Sequence, residues 1–399
     1  MMPRTGLVGR LFSGARTSGA RKFGRRNKGL RVALGLVATV AMAAMVGLSG
    51  CYWGYGSYYY YWGGGNGGNN ALWVANGTNV VEFSPSQQVS GVSDPVPRRA
   101  INSSAFASPQ GVVWDFYGDL WVIDGGTMAS GGTVAPALYE FTPKQLSNLG
   151  SNSAPTPATT ISSASFVFPQ QAAFDRNGNL WVSDNGSNAV YVLSAKQLST
   201  TASVTPAQTI TSTPTFNGPL GITFDFRGNL YVANNGTTTI FQFSASSLPV
   251  VNPSTTTPTS SALTPAVTLS DNGSGSIQAP WALAIDGSGN LWSSNANAPN
   301  TVVEFTKSQL ATTGSPTPNI TLASATVSNN ATLVAPNGIA FDQYGDLAVM
   351  SSAAPFGMAG YGPSQLRTNP TSPLTPAVFL VGTSTTLNAP AGDTFGPTY

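Results

Sequence analysis

The 399-residue sequence contains no histidine and a single cysteine, Cys51. Without imidazole or a second thiol there is no Ser-His-Asp or Cys-His triad, and no zinc site built on His or Cys. One cysteine also cannot form an intrachain disulfide framework. Charge is scarce, at 8% of residues, and unevenly placed. Nine of the 17 basic residues and none of the 15 acids precede Cys51, so residues 51–399 carry eight cations against 15 acids, a net charge of −7. The slightly basic balance of the whole chain therefore belongs to its first 50 residues. An acidic remainder without a basic stripe argues against nucleic acid as a partner. Long apolar runs are missing too: the one candidate, Val32 to Leu48, has 17 residues, short of the roughly 20 that span a bilayer as a helix.

Glycine and proline are plentiful, with 44 and 29 copies, and they punctuate a repeat. Residues 168–198, FPQQAAFDRNGNLWVSDNGSNAVYVLSAKQL, recur with variation from Pro109, Pro219, Pro280 and Pro336. Each copy opens with an apolar run closed by Asp115, Asp175, Asp225, Asp286 or Asp342, in the form D-x-x-G-[ND]. An Asp accepting the amide two residues on, with Gly supplying positive φ, predicts a tight hairpin. A second run of the form L-W-V comes next, then an Asn/Asp/Gly turn and a third alternating run. Thr142-x-x-Gln145, Ser194-x-x-Gln197 and Thr306-x-x-Gln309 then predict a capped helical turn, with Pro85, Pro143 and Pro363 as first helical residues. A fourth strand begins after proline at 206, 265, 318 and 376.

Four antiparallel strands per unit predict an all-β fold, a β-propeller. Five complete units, an orphan second strand at Leu72 and a terminal LNAPAGDTFG matching LVAPNGIAFD make six blades. Closure is expected by pairing the C-terminal strand with the N-terminal blade, which leaves the ring no free edge. Residues 71–399 give about 55 per blade, above the usual repeat of 40–50, and the excess is expected in loops.

The first 50 residues combine a basic start, an apolar stretch and small residues, the pattern of a secretory signal. Leu48-Ser49-Gly50-Cys51 resembles the lipobox of bacterial lipoproteins, which implies acylation of Cys51 and anchoring to a membrane of the bacterial cell envelope outside the cytoplasm. An uncleaved single-span anchor is the alternative, and it places the rest of the chain on the same side. Residues 51–70, rich in Tyr, Trp and Gly, are expected to be a flexible tether whose aromatics suit lipid headgroups.

The repeated Asp residues and the second-strand aromatics Trp73, Trp121, Trp181, Tyr231 and Trp292 are expected to be turn and core residues. A binding site belongs where repeats differ. The residue after each leading proline forms such a ring: Gln110, Gln170, Leu220, Trp281, Asn337 and Ala391. Gln110, Gln170, Trp281 and Asn337 are the ligand-binding candidates, with enlarged connections at 125–137, 294–300 and 351–360 beside them.

Residues 71–399 resemble the NHL-repeat and gluconolactonase-like propellers, which share P-x-G-[IV]-x-x-D-x-x-G-x-[LI]-[WY]-V. In metal-dependent lactonases of that group an Asn or Asp after the proline, with a Glu elsewhere, binds a divalent cation such as calcium. The resemblance would carry this role to Gln110, Gln170 and Asn337. Leu220, Trp281 and Ala391 offer no ligand, Asp393 is the only nearby acid, and a hard cation wants several oxygens including charged ones. Lyases of similar propellers use histidine, absent here. The expectation is a non-enzymatic binding or scaffold lipoprotein, without a cofactor, whose channel mouth takes a neutral envelope glycan, peptide or protein. The alternative is a divalent-metal-dependent lactonase or hydrolase.

Overall fold

The computed structural model describes residues 70–127 and 131–399. The expected signal, Cys51 and the tether lie outside them. Among the described residues no helix is long and apolar enough to cross a membrane.

Six antiparallel sheets stand around one axis, as the repeat predicts. Blades 2 to 6 begin with the innermost strands Pro109–Trp114, Pro169–Phe174, Pro219–Phe224, Pro280–Ile285 and Pro336–Phe341. Blade 1 is shared between the ends of the chain: Pro390–Gly396 lies innermost and pairs antiparallel with Ala71–Asn76. Leu72 stands opposite Phe395 and Val74 opposite Asp393.

Two blades exceed the expected four strands. Ala202–Ser203 adds a parallel strand to the outer edge of blade 2, and Thr259–Leu263 does the same to blade 3. The excess length predicted as loop is thus partly outer strand. The physical reason is the row of unpaired amides that a fourth strand presents to solvent.

The hairpin turns form as the sequence dictates. Asp115 Oδ1 accepts from the amides of Tyr117 (2.8 Å) and Asp119 (2.9 Å), and Gly118 takes φ +77°. One contact was not legible in the pattern: the other carboxylate oxygen accepts the second-strand aromatic, as in Trp181 Nε1 to Asp175 (3.1 Å) and Trp292 Nε1 to Asp286 (3.1 Å). Asp115, Asp175, Asp225 and Asp286 thereby lock both the turn and the ring that fills the space between blades, whereas in blade 6 Ala348 takes the place of the ring. Trp181 meets Phe224 of the next blade edge-on at 5.4 Å, and Trp292 meets Phe341 at 5.7 Å. Such pairs add about 0.5–1.5 kcal/mol to their area burial.

The capping boxes also form. Thr142 and Gln145 exchange hydrogen bonds around the helix Pro143–Ser147. The Gln amide then donates to the carbonyl just before the proline of the fourth strand: Gln145 to Thr156, Gln197 to Thr205, Gln309 to Thr317 and Gln365 to Thr375. One side chain therefore caps the third strand and starts the fourth.

Candidate functional site

In blades 2 to 6 the innermost strand runs from its leading proline at one end of the axis to the Asp of the hairpin at the other, here called the turn face, and the closing strand runs the same way from Pro390 to Gly396. A bulge comes after the proline in all six, as between Pro109 and Gly111 or Pro336 and Gly338. The third residue of the strand then points at the adjacent inner strand, and in four blades it is glycine. A Cβ on Gly221 would lie 2.4 Å from the Trp281 carbonyl oxygen, and one on Gly392 2.8 Å from that of Gln110. Bare backbone here lets the strands crowd the axis and narrows its proline end.

A cavity of about 560 Å³ runs along the axis from the level of these third residues to the turn face, lined by all six inner strands. Val113, Phe174, Ile222, Phe224, Ile285 and Phe341 make its wall predominantly apolar. Gln171 and Thr223 supply polar groups within it. At the mouth stand exposed Phe116, Arg176, Arg227 and Val250, together with half-buried Asp175 and Asp225. Volume, apolar walls and few polar groups are the attributes of a small-molecule site.

Asp393 is the one acid in the inner wall. It occupies the fourth position of the closing strand, where the other blades carry Val112, Ala172, Ile222, Leu283 and Ile339. Neither carboxylate oxygen has a hydrogen-bond partner among the described residues. Burial pushes its pKa well above the usual carboxylate range, because a lone charge in an apolar wall has nothing to compensate its lost hydration. Protonation, which this shift favours, would let the group donate a hydrogen bond as well as accept one.

The residues singled out in the sequence lie at the narrow end. Gln170, Leu220, Asn337 and Ala391 are buried, Gln110 and Trp281 half-buried, and none of the six lines the cavity. Gln110 Nε2 donates to Ser108 Oγ at 2.7 Å. Gln170 Nε2 and Asn337 Oδ1 are buried without a partner. The enlarged connections after second strands open on the proline side, and none of their described residues lines the cavity. What the sequence reading passed over is the interior between the two ends. Its signal was in view: an Asp in GDTF where the sister strands place an aliphatic residue or alanine.

The donor set does not fit a divalent cation. Among the described residues no three of His, Cys, Asp or Glu come together to hold one, and the ring after the prolines contains no carboxylate.

The surface corrects one expectation drawn from net charge. Of the 15 acids only Asp94 is exposed, whereas seven of the eight cations after Cys51 are. Of the other 14 acids seven are half-buried and seven buried, the hairpin Asp residues among them held by turn hydrogen bonds, while the cations stay outside.

No family model matches the chain, and no curated protein matches it. Among solved structures, a protein of unknown function from Bacteroides caccae aligns with a TM-score of 0.52 at 8% identity, over 82% of this chain and 98% of that one. A proposed 6-phosphogluconolactonase from Bacteroides fragilis gives 0.51 at 11% identity, over 82% and 97%. A streptogramin B lyase gives only 0.38 at 15% identity, over 66% and 68%, too low to bear on function. The similarities establish the class, a six-bladed β-propeller, and nothing finer.

Proposed function

We propose that this chain is a bacterial envelope lipoprotein, held through acylated Cys51, that binds an amphipathic small molecule in its axial cavity. The observation that carries the reading is the cavity itself: about 560 Å³ lined mainly by apolar residues, with Asp393 inside and Arg176 and Arg227 at the mouth beside Asp175 and Asp225. An apolar body inserted along the axis buries surface worth about 25 cal/mol per Å², and a polar or anionic head is left beside Arg176 and Arg227. This chemistry suits a fatty or aryl acid better than the neutral glycan that the amide ring suggested. Gln110, Gln170, Trp281 and Asn337 remain candidates at the proline end, through the unpartnered Gln170 Nε2 and Asn337 Oδ1.

Calorimetric titration of the purified protein with alkyl carboxylates of increasing length, set against neutral oligosaccharides, tests the proposal. Affinity should rise with chain length until the cavity is filled. Thr223→Phe, on the cavity wall, should abolish binding while the protein keeps its melting transition. Length-independent binding, or binding unaffected by Thr223→Phe, would place the site elsewhere.

A further inference from the structure

The two ends of the propeller axis differ in what they expose. All eight Lys and Arg residues after Cys51 lie at the turn-face end. Arg176 and Arg227 stand in hairpin turns, and Lys144, Lys196 and Lys307 in the caps after third strands. The other three sit at the turn-side strand end of blade 1 and in the cap loop of blade 6. The one exposed acid, Asp94, hydrogen-bonds Ser384 and Thr385, on the approach to the proline end of the closing strand.

Large exposed apolar side chains are distributed the same way. Val250 (94% exposed) and Tyr344 (67%) are the two most exposed, and with Phe116 and Tyr117 they project from turns and a cap loop of the turn face. The proline side offers Val134 and Val167, each below 45%. Exposed aromatics interleaved with cations are the composition of surfaces that sit at lipid headgroups.

The chain's own connectivity selects the occupant. The described structure begins at Asn70, immediately before the second strand of blade 1, and that strand starts at the turn face. Asn70 shares a small cavity there with Asp342 and Asp346 of the blade 6 hairpin. Cys51 is 19 residues upstream. An anchor at Cys51 therefore joins the propeller at its turn face.

We infer that the turn face is a membrane-docking surface. Phe116, Tyr117, Val250 and Tyr344 enter the headgroup region, and the surrounding Lys and Arg residues meet anionic lipid phosphates. The inference rests on the proposed anchor at Cys51 and extends the proposed cavity function: docked this way, the cavity mouth opens onto the bilayer, and its ligand is an amphiphile drawn from the membrane. Net charge conceals the surface, because of the 15 acids one is exposed, seven are half-buried and seven are buried, and those in the turn-face hairpins are engaged in turn hydrogen bonds.

The acylated full-length protein in vesicles of phosphatidylethanolamine and phosphatidylglycerol provides the test. With Cys51 acylated, Tyr344→Cys and Val167→Cys each create a single free thiol, on opposite faces, for an environment-sensitive fluorophore. Brominated lipids should quench the probe at 344 at least threefold more than the probe at 167. Replacing phosphatidylglycerol by phosphatidylcholine should reduce the quenching at 344. Equal quenching at both positions, or stronger quenching at 167, in a protein that floats with the vesicles overturns the docking face and leaves the anchor intact. A protein that does not float removes the anchor, and the docking inference with it. A response at 344 to a single-stranded oligonucleotide, with none to vesicles, would assign the cations to nucleic acid instead.

Discussion

The carboxyl of Asp393 occupies the space that a side chain on Gly338 would need. A Cβ built on Gly338 falls 2.4 Å from Asp393 Oδ1 and 3.1 Å from Met350 Cγ. The two residues belong to adjacent inner strands, one closing blade 1 and the other opening blade 6, so the acid fits only because its neighbour has no side chain. Gly338→Ala should then cost about 1–3 kcal/mol, the usual range for overpacking. Combined with Asp393→Ala, which vacates the space, the same substitution should cost markedly less, with a coupling of about 0.5–3 kcal/mol. Denaturant unfolding of the two single mutants and the double mutant measures this, and additive effects would mean that the residues do not meet as described.

The raised pKa of Asp393 gives stability a direction with pH. Its folded-state pKa lies above the unfolded value near 3.8, so the folded protein binds more protons than the unfolded chain between those two values. Stability is therefore full at and below the unfolded value and falls as pH rises toward the folded one, by at most about 1.4 kcal/mol per pH unit per group. Asp115, pushed up to about 6 chiefly by burial, adds the same sign between about 4 and 6. Melting should accordingly be higher near pH 5 than near pH 8. Asp393→Asn should flatten the profile and raise the midpoint at pH 8. The difference between the two profiles isolates this residue, and parallel curves would show that Asp393 is ionised in the folded state.

The architecture was legible in the sequence because each blade repeats the same local chemistry. The hairpin Asp, the positive-φ Gly, the S/T-x-x-Q cap and the proline before the fourth strand each act within a few residues, so spacing alone reveals them. The closing strand was legible for the same reason, since LNAPAGDTFG copies its sister strands. The site was harder to read. Which end of the axis is open depends on how closely adjacent inner strands approach, and this is set by the bulges and by Gly111, Gly221, Gly338 and Gly392 acting across blades. Counting charges misled because the turn motif itself consumes carboxylates: Asp175 gives both oxygens to hydrogen bonds, while no such motif draws in a lysine or arginine. The outer strands Ala202–Ser203 and Thr259–Leu263 carry little alternating apolar pattern and are fixed by an edge contributed by another blade.

Removing residues 387–399 should show how much of the ring depends on its closing strand. Pro390–Gly396 pairs with Ala71–Asn76 along its whole length, and Phe395 packs among Leu72, Ala340, Ala348 and Met350 in the core between blades 6 and 1. Truncation leaves the inner edge of Ala71–Asn76 unpaired and opens that core to water. Loss of the Phe395 side chain alone costs about 3–5 kcal/mol where a core cannot collapse, a large share of the roughly 5–15 kcal/mol typical of a domain. The broken ladder adds to it. The truncated protein should lose its cooperative melting transition, whereas trimming a disordered tail would leave it unchanged. A synthetic peptide spanning 387–399, added in trans, should restore the transition in a concentration-dependent way, since it binds only the folded remainder. An unaltered midpoint after truncation would mean that blade 1 is stable with three strands and that closure contributes little. Failure of the peptide to rescue a destabilised protein would mean that the strand acts during folding, before the ring it closes has formed.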